Sequence, residues 1–221
     1  MAPSFLFLHF TVQYGTASAL FYGEKNVSLS DNTAEMLIAR QKRKENIAEY
    51  ILYIWQLEDL LRALQFSPEA IYSQLVAAQE IDDGQKQDIF FWYIDMANLI
   101  KSEGKDAHGH IDHTLQLIGD LNELHQSLLK LPSGEEYRKI FAPLAEELPA
   151  LKERLGKPDM SDIEVAMRSL YSVILYRLKG DESRAEYVND VLALVSPVVA
   201  KLSEIFHAIE SGKFNLYEES K

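Results

Sequence analysis

From Met36 onward the apolar residues recur at spacings of three and four and show no convincing alternation, a pattern that predicts helices and no strands. Seven helical stretches follow from it. The first runs from about Ala34 to Gln65, with Ile47, Tyr50, Ile51, Ile54, Leu57, Leu61 and Leu64 on one broad face. Ser67-Pro68 opens a short second helix, with Ser as N-cap and Pro at the first helical position. A turn at Asp82-Asp83-Gly84 precedes a third helix carrying Ile89, Trp92, Tyr93, Met96, Leu99 and Ile100. The Gly- and His-rich segment Gly104 to His110 separates it from a fourth, about Asp112 to Leu131.

Pro132-Ser133-Gly134 breaks the chain before a fifth helix with Tyr137, Phe141, Leu144, Leu148, Leu151 and Leu155 on its apolar face. Pro143 and Pro149 lie inside that pattern and predict a kink or two short pieces. Ser161-Asp162-Ile163-Glu164 reads as a capping box opening the sixth helix, and Lys179-Gly180 closes it. The seventh, about Ser183 to Ser211, places Val188, Val191, Val195, Val198, Leu202, Ile205 and Ile209 in a strict 4-3 seam. Packing inside its own bundle is favoured over a dimer seam. The fold class is therefore all-α: a single-domain bundle of about six to seven helices spanning residues 36–211, with a frayed tail at 212–221.

Composition narrows the classes open to it. The chain has 221 residues, 22 Lys and Arg against 34 Asp and Glu, a formal charge of −12, and no Cys. No disulfide, thiol nucleophile or thiolate metal site can form. The negative charge disfavours broad binding to a phosphate backbone. No run of about 20 apolar residues reads as a membrane span, so no membrane association is expected. The absence of Cys fits a cytoplasmic location. Residues 1–23 contain no Asp, Glu, Lys or Arg, and include Phe5-Leu6-Phe7-Leu8 and Ala17-Ser18-Ala19. A secretory signal is the less favoured reading, because no positive charge precedes the apolar run. The favoured one takes 1–35 as extra sequence ahead of a natural start at Met36, poorly ordered or upstream of it.

A helix turns about 100° per residue, which places each side chain on a wheel. Glu58 falls inside the apolar face of the first helix, and Arg62 lies one turn on. His125 falls near the centre of the fourth helix's apolar arc, and Arg177 among the aliphatic residues of the sixth. A lone buried charge costs several kcal/mol unless paired. The expectation is that Glu58 meets Arg177, with His125 as a further partner. A structural ion pair is the first reading of such a cluster and a ligand or active-site pocket the second.

His108-Gly109-His110-Ile111-Asp112-His113 has imidazoles and a carboxylate that suit zinc, nickel or copper. It is a short Gly-containing loop, however, and a solvated loop is preferred over a metal site at His108, His110 and His113; no cofactor is expected. Arg40, Lys42, Arg43 and Lys44 form a small basic patch that could hold phosphate or RNA, but a solvated helix end is favoured and nucleic acid is not the expected partner. There is no Gly-rich phosphate loop, H-E-x-x-H or G-x-S-x-G. Phe90-Phe91-Trp92-Tyr93 spans all faces of one helical turn, so one or two of its members must face outward or meet another element.

The run Met36-Leu37-Ile38-Ala39-Arg40-Gln41-Lys42-Arg43-Lys44-Glu45-Asn46-Ile47-Ala48-Glu49-Tyr50 resembles the start of an uncharacterised Bacteroidetes family known only as a domain of unknown function. Trp55-Gln56-Leu57-Glu58-Asp59, Gly109-His110, Leu124-His125 and the stretch Leu170-Tyr171 through Arg177-Leu178 continue the likeness over about 36–210. The resemblance implies a cytoplasmic all-helical protein that begins near Met36, with no catalytic residues to carry over. The leading functional expectation is a non-enzymatic interaction or scaffold protein, binding a protein partner or itself. The alternatives are a small-molecule-binding protein or enzyme with a pocket around Glu58, Arg177 and His125, and RNA-associated binding through Arg40 to Lys44.

Overall fold

The computed structural model describes residues 34–179, 183 and 185–217, with only the backbone of 34–38. The readings for residues 1–33, and for Gly180 as a helix stop, lie outside the described residues. The described residues contain no strand and form eight α-helices. They are α1 (Ala34–Glu45), α2 (Ile47–Ala63), α3 (Pro68–Ile71), α4 (Asp83–Ser102), α5 (Asp112–Lys130), α6 (Glu135–Leu155), α7 (Asp162–Lys179) and α8 (Ala185–Glu210). They group into two compact units that divide between Gln116 and Leu117.

In the first unit α1 packs on α2, and α4 packs on α1, α2 and α3. The long first helix of the sequence reading is two helices. Asn46 leaves helical geometry (φ −152°, ψ 105°) and its side-chain oxygen accepts the backbone N–H groups of Ala48 (3.1 Å) and Glu49 (3.2 Å). An N-cap thus stands at the end of the polar run Arg40 to Asn46, directly ahead of the apolar face that begins at Ile47. Helix α2 buries Ile47, Ile51, Ile54, Trp55, Leu57 and Leu61. It ends with Gln65 and Phe66 both in the left-handed region (φ 53° and 54°), and the Phe66 N–H reaches back to the Leu61 carbonyl at 3.0 Å.

Ser67 caps α3 through the Ala70 N–H (3.2 Å), with Pro68 in the first turn as read from the sequence. The chain then widens into one π-helical turn, Tyr72–Val76. Helix α4 opens on a full capping box between Asp82 and Gln85. Its aromatic run divides as its spacing requires: Tyr93 is fully buried, Phe90 and Trp92 are half-buried, and Phe91 is 52% exposed.

In the second unit α8 packs on α6 and α7, and α6 packs on α7. The 4-3 seam of α8 is the buried face of this unit, from Val188 through Val195 and Leu202 to Ile205, with Ile209 at its exposed end. Although no run of about 20 apolar residues was found in the sequence, α8 is long and apolar enough, by length and composition, to cross a membrane, with a mean hydropathy of 1.5 over its best window. Helix α6 is a single helix of 21 residues rather than two pieces. Both of its prolines are exposed, so the carbonyls they leave without a helical N–H, those of Lys139 and Ala145, lie on the solvent side.

The turn into α6 depends on Gly134. A Cβ there would stand 1.8 Å from the Leu128 carbonyl oxygen. Arg138 completes the corner by donating to the Leu128 and Leu131 carbonyls (2.9 and 2.7 Å) at the end of α5. Ser161 caps α7 through the Glu164 N–H at 3.2 Å. The described part of the C-terminal tail folds back: Lys213 N–H bonds the Ala208 carbonyl, and the Leu216 carbonyl accepts from the Ser133 hydroxyl at 2.9 Å.

Candidate functional site

Two clusters of buried polar side chains form, one in each unit. In the first, Glu58 projects from the apolar face of α2 with no exposed surface. One carboxylate oxygen lies 2.7 Å from His110 Nδ1, and the other accepts the Ile111 backbone N–H at 3.1 Å. Ile111 directly precedes α5, so the acid sits at a helix N-terminus, where the helix dipole favours negative charge. The His110 ring stacks on Trp55, with centroids 3.8 Å apart and planes 12° apart. Trp55 Nε1–H donates to the Thr114 hydroxyl (3.1 Å), which donates to the Ile111 carbonyl (2.9 Å).

Arg62, one turn along α2, closes the cluster. Its Nη2 is 3.7 Å from the Glu58 carboxylate and donates to the Gly109 carbonyl. Its Nε donates to the Lys105 carbonyl at 3.0 Å, and its Nη1 to Asp59 at 2.8 Å. Gly109 turns through φ 91°, a conformation that side-chain-bearing residues rarely adopt. The last two turns of α2 therefore grip the loop between α4 and α5 at four points.

In the second unit His125 on α5 is fully buried. Its Nδ1 lies 2.7 Å from the Tyr137 hydroxyl on α6, and its Nε2 lies 3.6 Å from the Asp162 carboxylate at the start of α7. Lys152 pairs with the other oxygen of Asp162 at 3.1 Å. Phe141 meets the imidazole edge-on at 4.6 Å between centroids. Burial holds the His125 pKa below the ordinary imidazole value, against the opposing pull of Asp162. Burial and the same carboxylate push the Tyr137 pKa well up. The phenol thus keeps its proton, and its oxygen shares a hydrogen bond with Nδ1 while Nε2 faces Asp162.

Of the residues expected to converge, Glu58 and Arg62 are paired, and Glu58 takes His110 as its closest side-chain partner. His125 takes Tyr137 and Asp162 in the other unit. Arg177, expected on the buried face of α7, is exposed. It lies in the last turn of that helix, where a long side chain reaches water.

His110, read as a weak metal ligand, is the carboxylate's partner. His108 is exposed, and His113, also exposed, lies edge-on to Tyr50 at 6.0 Å between centroids. Among the described residues no group of three or more His, Asp or Glu could hold a metal ion. In the basic patch Lys42 pairs with Glu49 at 2.8 Å, Arg40 and Lys44 are exposed, and Arg43 is half-buried beside Tyr50. Imidazole beside carboxylate is proton-transfer chemistry. Here the imidazoles are 8% and 0% exposed, one joining helix to loop and the other helix to helix.

Fold and site together define an all-helical protein whose buried ionisable groups fasten its helices. The chain belongs to the family DUF4924, a domain of unknown function, whose model matches residues 36–213. No curated protein and no solved structure matches it.

Proposed function

We propose that this protein is a non-enzymatic interaction module that recognises another protein through the first unit. The observation that carries this reading is a contiguous run of three aromatic rings at the surface of the π-helical turn and α4, two of them exposed. Tyr72, 45% exposed, meets Phe90 edge-on at 5.6 Å between centroids, and Phe90 meets Phe91, 52% exposed, at 6.0 Å. Large apolar side chains held together at a surface are the ordinary mark of a binding face. The burial of both imidazole clusters supports the same reading, since a substrate would have to open a helix junction to reach either. A location in the reducing cytoplasm is in keeping with a chain that has no cysteine.

Native mass spectrometry of the protein isolated from its own host tests the reading. The expected result is a stoichiometric complex with a protein or with a second copy. A monomer that carries a small molecule, or RNA that dissociates as salt rises, contradicts it.

A further inference from the structure

We propose that the Tyr72, Phe90 and Phe91 strip docks a cationic amphipathic helix belonging to a protein partner. The inference rests on the interaction reading above and names the partner's chemistry. The strip is framed by acid. Glu69 lies one turn before Tyr72, and Asp88 and Asp95 lie one turn on either side of Phe91; all three are exposed. Among the described residues no cation pairs with any of them.

The two nearby lysines are committed elsewhere. Lys86 Nζ donates to the Ala77 carbonyl at 3.1 Å, and Lys101 Nζ stands 5.0 Å over the Phe66 ring. An apolar surface ringed by unneutralised carboxylates matches a cover that brings both apolar anchors and positive charge. A helix meets this geometry best. Tyr72 stands on the π-helical turn and Phe90 and Phe91 stand on α4, and the described residues offer no strand edge for an extended segment to join.

The local backbone presents the strip. The Tyr72 carbonyl accepts the Ala77 N–H at 2.8 Å across the π-helical turn. Within that turn Leu75 and Val76 are buried and Tyr72 is at the surface.

Isothermal titration of the full chain with a synthetic Leu/Lys helix of about four turns, and with its Leu/Glu counterpart, tests the proposal. The Leu/Lys peptide is expected to bind one-to-one, to weaken as salt rises, and to lose at least about tenfold in affinity with Phe91→Ser. Helical circular dichroism is expected to be unchanged in that variant, because the ring is exposed. Equal affinity for wild type and variant, equal binding of the Leu/Glu peptide, or no binding overturns the proposal.

A second measurement identifies other occupants. The chain has no cysteine, so Gln87→Cys, exposed on α4 one turn before Phe91, supplies a single site beside the strip for a polarity-sensitive dye and leaves the rings in place. Emission unchanged by protein concentration and blue-shifted only by the Leu/Lys peptide is the expected result. A blue shift that grows with protein concentration assigns the strip to a second copy. One that vanishes when residues 1–33 are removed assigns it to this chain's own N-terminal segment. Either overturns the proposal, and the first leaves the interaction reading standing.

Discussion

The His110 ring lies flat on the indole of Trp55, 3.8 Å between centroids, while its Nδ1 reaches the Glu58 carboxylate. One loop residue is thus held on its face by one side chain of α2 and on its edge by another. Trp55 and Glu58 are three apart in sequence, so both point from the same side of the helix. The loop between α4 and α5 is built onto α2, and this joint leads to the first prediction.

Glu58→Ala leaves the Ile111 N–H, the His110 ring and the Arg62 guanidinium without their shared acceptor inside the fold. The expected loss is about 3 kcal/mol of unfolding free energy in urea. Arg177→Met is expected to stay within about 0.5 kcal/mol of wild type, because the guanidinium is at the surface. In a double-mutant cycle, Glu58→Gln and His110→Phe should couple by about 1 kcal/mol or more. Strict additivity would show that the 2.7 Å contact adds nothing to stability.

His125 makes stability depend on pH in a definite direction. Its folded pKa lies below the ordinary value of 6.5, so the unfolded chain takes up a proton first as pH falls. The stabilisation is therefore complete above about pH 6.5 and is lost as pH falls below it, with a slope approaching about 1.4 kcal/mol per pH unit for one group. Urea unfolding of wild type and His125→Phe between pH 8 and 5 should give curves that converge toward low pH. A constant difference across the range contradicts the buried neutral imidazole.

Two glycines predict opposite effects of the same substitution. Gly134→Ala drives a methyl against the Leu128 carbonyl oxygen and should cost about 3 kcal/mol. Gly119, exposed within α5, has open space where a Cβ would go. Gly119→Ala should stabilise by about 1 kcal/mol through helix propensity. Thermal melts that rank the two variants the other way would overturn the packing of the corner between α5 and α6.

The helices were readable because their signals are local. Apolar spacing placed Glu58 and His125 on buried faces, and Ser67, Pro68 and Ser161 announced helix starts. What escaped was mostly non-local. Asn46 is the exception: an N-cap residue at the end of the polar run Arg40 to Asn46, directly ahead of Ile47, it was legible. The prolines of α6 fall on the solvent side, which the wheel could have indicated. His110 lies in a loop with no period, 52 residues from its partner Glu58. No spacing rule joins them, and the buried acid was matched to Arg177 because a wheel ranks faces without knowing where a neighbouring helix stops. The exposed aromatic strip was partly legible, since four consecutive aromatics cannot all be buried on one helix.

The central claim is that the surface around Tyr72 and Phe91 is covered by a protein partner while the imidazole clusters stay closed. Hydrogen–deuterium exchange on the complex isolated from its host, compared with the free protein, tests it most directly. The account predicts added protection in peptides spanning 69–76 and 88–95, with the peptide containing His125 unchanged. Protection centred on His125 or on Arg40 to Lys44, with none at Phe91, would contradict it.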